Sequence, residues 1–251
     1  MDDIIIKTPE EIEIMRHPGS VLTKTLDLLG KSVRIGISTK ELDDIAEEFI
    51  RSHGGCTPGF KGYNGFPGSL CASINEEVVH GIPSPDRVLK DGDIIGLDCG
   101  VYYNGLHTDA CRTFIVGDVS YDVRQFVKVT KEALRQSVKQ IHSGGRIGDI
   151  SAAIQETLER FDYSPVVECT GHGVGRNLHE PPEILNAGVR GTGPVMKSGM
   201  VFAIEPISAM GQGDINTAKD KWTLLTADRS LSTHFEATVL VTEKGYEILA
   251  G

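Results

Sequence analysis

Residues 94–116, IIGLDCGVYYNGLHTDACRTFIV, leave this chain the fewest choices. Asn104-Gly105 stands between two apolar runs. Both central residues of a type I′ turn need positive φ, so the pair predicts a β-hairpin. Each arm nevertheless carries an aspartate, Asp98 and Asp109. Aspartate is depleted in strands and costly to bury unpaired. A two-residue turn sets Asp98 opposite Cys111, and Asp109 lies two places from Cys111 on the same strand. The acids are then diagonal neighbours on one face, with Cα atoms roughly 7–8 Å apart and carboxylates free to converge. Two such groups repel unless a proton or a cation lies between them, and a cation suits side chains that only accept hydrogen bonds. An exposed hairpin face with solvated acids is the alternative at this point.

The rest of the chain repeats the pattern. GMVFAIEPI sets Glu205 in an apolar run, and STHFEATVLVT does the same with Glu236. Four isolated acids in strand-like apolar settings read as an oxygen-rich metal site. ECTGHGVGRNLHEPP adds His172 between glycines and His179 seven residues on, while INEEVVHGIPSP holds His80. Glycines beside His172 let the backbone approach something closely. Any one histidine is more often an ordinary core or surface imidazole. Gly171, Gly173 and Gly175 lack dinucleotide spacing, and no P-loop lysine follows, so both nucleotide readings are excluded.

Four helical stretches frame these segments. The first opens at Thr8-Pro9-Glu10-Glu11 and runs to about residue 31, with a bend expected near Pro18-Gly19. The second opens at Ser38, with Glu41 completing a capping box, and carries Leu42, Ile45, Ala46, Phe49 and Ile50 as its apolar stripe. The third covers roughly Tyr121 to Ile141, and the fourth runs from about Gly148 to Phe161. A shift of 108 residues lays Leu42, Ala46 and Ile50 on Ile150, Ile154 and Leu158, a weak internal repeat. No low-complexity linker cuts the chain, so residues 1–251 read as one domain whose halves meet at a seam. With 35 acidic against 25 basic residues and a formal charge of −10, the chain does not read as a nucleic-acid scaffold. No apolar run is long enough to span a membrane, and the acidic start lacks the layout of a signal peptide. Five cysteines without a CxxC pair read as reduced thiols in a cytoplasmic protein.

Asp98, Asp109 eleven residues later, His172 in TGHGVG, Glu205 in AIEP and Glu236 in FEATVLVT resemble the five metal ligands of the type I, bacterial-type methionine aminopeptidases. GFPGSLCASINEEVVHGIP, GHGVGRNLHEPP and DRSLSTHFEATVLVT extend the resemblance over essentially the whole chain. It implies an α+β pita-bread (creatinase/aminopeptidase) fold. Two pseudo-symmetric halves, roughly 8–118 and 119–251, would surround a curved antiparallel sheet with helices on its outer face.

The activity implied is removal of the initiator methionine when the second residue is small, by a metal-bridging hydroxide attacking the first peptide carbonyl. Two divalent ions (Co, Mn, Fe or Zn) would be bound. Asp109 and Glu236 would bridge them, Asp98 would hold one, and His172 with Glu205 the other. Glu205 would also relay a proton, with His179 near the scissile carbonyl oxygen and His80 near the scissile nitrogen. Tyr63, Phe66, Cys71 and Trp222 would form the methionine pocket. Phe60 and Leu178 depart from the pattern there, since a small residue or cysteine and an aromatic residue are usual. Cys99 and Cys111 are expected to be bystanders.

The resemblance further implies a cytoplasmic monomer acting on nascent polypeptides that begin with methionine, in transient association with the ribosome, without membrane or specific nucleic-acid binding. Two rivals are weighed. A prolidase usually carries a large N-terminal domain, for which the ninety or so residues before Asp98 leave no room. A non-catalytic pita-bread binding module usually loses ligands, and here all five are present.

Overall fold

A computed structural model describes residues 4–251. Helix α1 spans Pro9–Ser32, and Thr8 accepts from the Glu11 N–H while the Glu11 carboxylate accepts from Thr8 in return. It runs unbroken through Pro18, and the neighbouring Gly19 has a packing reason: a Cβ there would lie 2.2 Å from the Leu249 carbonyl oxygen. Helix α2 spans Thr39–Ser52 with the Ser38/Glu41 capping box in place. Helices α3 (Tyr121–Val138) and α4 (Ile147–Glu159) fall two or three residues short of their expected ends. Their last turns tighten into bonds between residues three apart, such as Ile141 N–H to the Val138 carbonyl.

The hairpin forms as the turn chemistry requires. Strands Ile94–Tyr103 and Leu106–Ile115 pair antiparallel, Asn104 and Gly105 have φ of 47° and 85°, and Asp98 stands opposite Cys111. Strands Thr57–Pro58 and Cys71–Ile74 extend this sheet on the far side of Ile94–Tyr103. The second half builds a five-stranded antiparallel sheet in the order Gly245–Ala250, Ala237–Thr242, Val201–Ile204, Thr170–Gly173 and Glu180–Leu185. Two three-stranded sheets complete the set, one of them carrying Ile207–Ala209 beside Ser232–His234.

The repeat seen in the sequence has a structural counterpart. Leu42, Ala46 and Ile50 of α2 are buried in a core with Ile95, Leu97 and Val101 of the hairpin. Ile150, Ile154 and Leu158 of α4 are buried in a second core with Phe202, Val239 and Val241 of the five-stranded sheet. Each helix pair thus covers its own sheet by the same apolar face. Hydrogen bonds stitch the seam between them. The Thr238 hydroxyl donates to the Asp109 carbonyl at 2.7 Å and accepts from the Asp109 N–H at 2.8 Å. The Thr113 hydroxyl does the same for the backbone of His234, and the Glu236 N–H reaches the Cys111 carbonyl at 2.9 Å. The hairpin aspartates are thereby brought to the strand that carries Glu236.

Candidate active site

Every side chain expected to hold metal, act in catalysis or shape the methionine pocket lines one cavity of about 360 Å³ at this seam, as do Phe60 and Leu178. Donor atoms of Asp109, His172 and Glu236 lie within 4.8 Å of one another, and all three residues are buried. Glu205 joins them, its carboxylate 3.8 Å from His172 Nε2 and 3.6 Å from His234 Nε2. Asp98 sits against Asp109, and burial followed by the Asp109 charge pushes its carboxyl well above the usual range. Burial is also the main cause that raises Glu205 and Glu236, and it lifts Asp109 to about 7. Burial holds His172 down at about 3, so its ring is neutral.

The glycines beside His172 serve strand packing. A Cβ on Gly171 would lie 2.6 Å from the Ala203 carbonyl oxygen, and one on Gly173 would lie 2.3 Å from that of Pro181. This tight seat orients the ring: His172 Nδ1 is 2.8 Å from the Gly173 carbonyl oxygen. A carbonyl only accepts, so Nδ1 carries the proton and Nε2 turns a lone pair towards the carboxylates.

The donor set therefore accommodates a divalent cation. Asp98 Oδ1, Asp109 Oδ1 and His234 Nε2 are buried with no hydrogen-bond partner, an arrangement that is costly among like-charged acceptors. A lone pair facing carboxylate oxygens at 3.8–4.0 Å is equally unfavourable until a cation lies between them.

His179 and His80 stand at the cavity mouth, both exposed to solvent. The Tyr63 hydroxyl is 3.0 Å from His179 Nδ1, and the His179 ring meets His172 edge-on at 4.3 Å between centroids. His80 has a φ of 60° and turns its ring edge-on to Trp222. Phe60, Phe66, Cys71 and Leu178 form an apolar cluster against which Trp222 and Ile82 pack. Phe60 fills the space left by Gly100, which faces Asp109 across the hairpin: a Cβ on Gly100 would lie 2.9 Å from its ring. The two departures from the family pattern, Phe60 and Leu178, are thus in one wall.

Sequence reasoning missed His234, whose Nε2 lies 3.7 Å from Glu236. The signal was available: His234 precedes Glu236 by two residues, the period that puts side chains on one strand face. Cys169, Thr170 and Glu168 also line the cavity and were not singled out. Cys71 and Cys111 flank Asp98 on its two neighbouring strands, and burial keeps their thiols, like that of Cys99, well above the usual range.

The family model for metallopeptidase family M24 matches residues 13–243. The chain belongs to that family. Among its M24 relatives, the methionine aminopeptidase of Clostridium acetobutylicum is 47% identical, over 98% of each chain. Methionine aminopeptidase 1 of Bacillus subtilis is 48% identical, again over 98% of both. The crystal structure of the methionine aminopeptidase from Thermotoga maritima superposes with a TM-score of 0.97 at 42% identity, covering 98% of this chain and 99% of that one. The paired helices and antiparallel sheets described above are accordingly the α+β pita-bread fold of M24 enzymes.

Proposed function

We propose that the protein is a methionine aminopeptidase, a metal-dependent hydrolase that removes the N-terminal methionine of proteins and peptides whose second residue is small. One observation carries the reading. The apolar cluster of Phe60, Phe66, Cys71 and Leu178, with Trp222 against it, lines the same cavity as a buried cluster of carboxylates around an oriented imidazole.

Asp98, Asp109, His172, Glu205 and Glu236 would hold two divalent ions, drawn from Co, Mn, Fe and Zn, because four carboxylates balance two dications and neutral imidazole suits these metals. When bound, they supply Lewis acidity to the scissile carbonyl and lower the pKa of a water. The remaining work falls to the chain's own residues. Phe60, Phe66, Cys71, Leu178 and Trp222 enclose the methionine side chain and exclude water from it. A large second residue would collide with the wall that carries the carboxylates. With the Tyr63 hydroxyl donating to Nδ1, His179 holds its proton at Nε2 and offers it to the carbonyl oxygen, where charge develops. His80, seated against Trp222, orients the scissile nitrogen. Glu205 takes a proton from the attacking water on one carboxylate oxygen and passes it to the departing amine.

The reading extends to residues 1–251 acting as one catalytic domain, and to a cytoplasmic monomer that meets nascent chains at the ribosome. It is compatible with there being, among the described residues, no helix long and apolar enough to cross a membrane.

Hydrolysis of Met-Ala-Ser and of Gly-Pro, with and without chelator, tests the proposal. Methionine should be released in the presence of Mn²⁺ and not after chelation. Proline released without methionine would mean a prolidase, and inertness to both after metal is restored would mean a binding module.

A further inference from the structure

The segment that presents His179 is clamped from a distant part of the chain. Glu180 follows His179 directly, and its carboxylate pairs with the Lys7 ammonium in a contact whose side chains are each 1% exposed. The other Glu180 oxygen accepts the Asn177 N–H at 2.9 Å, closing the loop that leads into His179. Lys7 is itself pinned, its N–H donating to the Gly199 carbonyl at 2.8 Å. Gly175 lies over the Lys7 stem so closely that a Cβ there would be 2.2 Å from Lys7 Cε, and its φ of 154° is one that side-chain-bearing residues rarely adopt. One turn further on, Glu11 of α1 takes a two-pronged contact from Arg176 at 2.6 and 3.1 Å. The Gly175 carbonyl accepts the His107 N–H at 2.7 Å. The loop 175–180 is thus held at both ends by the N-terminal segment and against the hairpin at its start.

A buried ion pair is a weak device for stability, because the desolvation of both ions cancels most of their attraction. It is a strong device for geometry, because one arrangement alone satisfies both charges. That arrangement is informative next to an exposed histidine whose ring is otherwise held by Tyr63, a residue 36% exposed, and by edge-on packing on His172.

We propose that Lys7 is a positioning residue for His179, acting through Glu180, with the Glu11–Arg176 pair as a second, weaker tie. The inference rests on the role given to His179 above. A misplacement of about 1 Å at a reacting group costs on the order of 100-fold in rate, so loosening the loop should tell on turnover.

The test is a cycle built on the double variant Lys7→Met/Glu180→Gln, which removes both charges at nearly constant volume and leaves neither ion stranded. The expected result is a melting temperature within a few degrees of wild type. Amide hydrogen exchange should be faster over residues 175–180, and kcat on Met-Ala-Ser should fall roughly 10–100-fold at nearly unchanged KM. In a His179→Ala background the same pair of substitutions should add less than about twofold, because a positioning group has nothing left to position. Full kcat in the double variant, or an equal fold-loss with and without His179, overturns the inference. Should the double variant not fold, Arg176→Gln takes its place in the cycle. A loss of roughly threefold that vanishes in the His179→Ala background supports the proposal, and no loss or an undiminished one overturns it. Wild-type protein inert on Met-Ala-Ser, with exchange still responding at 175–180, would count against the proposed function and leave the clamp standing as geometry.

Discussion

The protonation of the acid cluster makes metal binding measurable through heat stability. In the metal-free protein Asp109 is lifted from 3.8 to about 7, chiefly by burial. An acid whose folded pKa exceeds its unfolded value stabilises the fold fully below the unfolded value, here about 3.8, and loses that contribution as pH rises through about 7. A bound dication needs the ionised form, so the proton competes with it below pH 7 and no longer does above. From pH 6.5 to 8.0 the competition at Asp109 alone relaxes by about 1 kcal/mol. For a chain of this size that is roughly 2–3 °C in melting temperature, and Asp98, Glu205 and Glu236, all raised, act in the same direction. His172 and His234 are held near 3 by burial and carry no proton to displace. Effects of pH on the unfolded chain enter both preparations alike and cancel from the difference. The assay is a melting curve at pH 6.5, 7.0, 7.5 and 8.0, with chelator or with one fixed excess of Mn²⁺. The gap between the two curves should widen steadily with pH. A gap that stays flat or narrows refutes the reasoning.

Three substitutions probe other parts of the site. His234→Leu removes a neutral nitrogen that faces Glu205 and Glu236, and isothermal titration with Mn²⁺ should show affinity lower by roughly 10–100-fold. Phe60→Ala opens the wall beside Gly100. It should raise KM for Met-Ala-Ser about tenfold while improving the relative rate on peptides with bulkier first residues, since pocket contacts of this kind discriminate by ~1–3 kcal/mol. Gly173→Ala forces a Cβ into the Pro181 carbonyl and should lower stability by about 1–3 kcal/mol in thermal melts, with weaker metal affinity as the neighbouring His172 shifts.

Legibility in the sequence followed the range of the interaction concerned. The hairpin register and the Thr8 and Ser38 caps rest on local backbone chemistry and stand in the structure as read, while of the α2 stripe Leu42, Ala46 and Ile50 are buried and Ile45 and Phe49 half-buried. The acids were visible because charge in an apolar strand is anomalous wherever it lies. How the hairpin pair meets Glu205 and Glu236 was not, because it depends on hydrogen bonds such as Thr238 to Asp109, made across 129 residues of chain. Lys7 and Glu180 escaped notice for the same reason, being an ordinary lysine and an ordinary glutamate until folding buries them 173 residues apart in sequence. His234 is a different case, since its two-residue spacing from Glu236 was local.

The fold also accounts for why the site has four acids in two pairs. In the first half, Asp98 and Asp109 lie on adjacent antiparallel strands, two residues off directly opposite and so on one face. In the second half, Ala237 faces Ile204 in one ladder and His234 faces Ile207 in the next. Glu236 therefore falls opposite Glu205 between them, with the Phe235 N–H bonded to the Pro206 carbonyl in the same gap. Each half thus supplies one acid pair from one strand pair, and the seam hydrogen bonds bring the pairs together. The first pair is joined by a two-residue turn and shows in the sequence as a hairpin. The second is joined by the long excursion between Ala209 and Ser232 that carries Trp222 to the cavity, so the same device is hidden there. Two strand pairs that each bring two acids to one seam leave four carboxylates facing one another, a charge that protons relieve in the metal-free protein and that bound dications would balance.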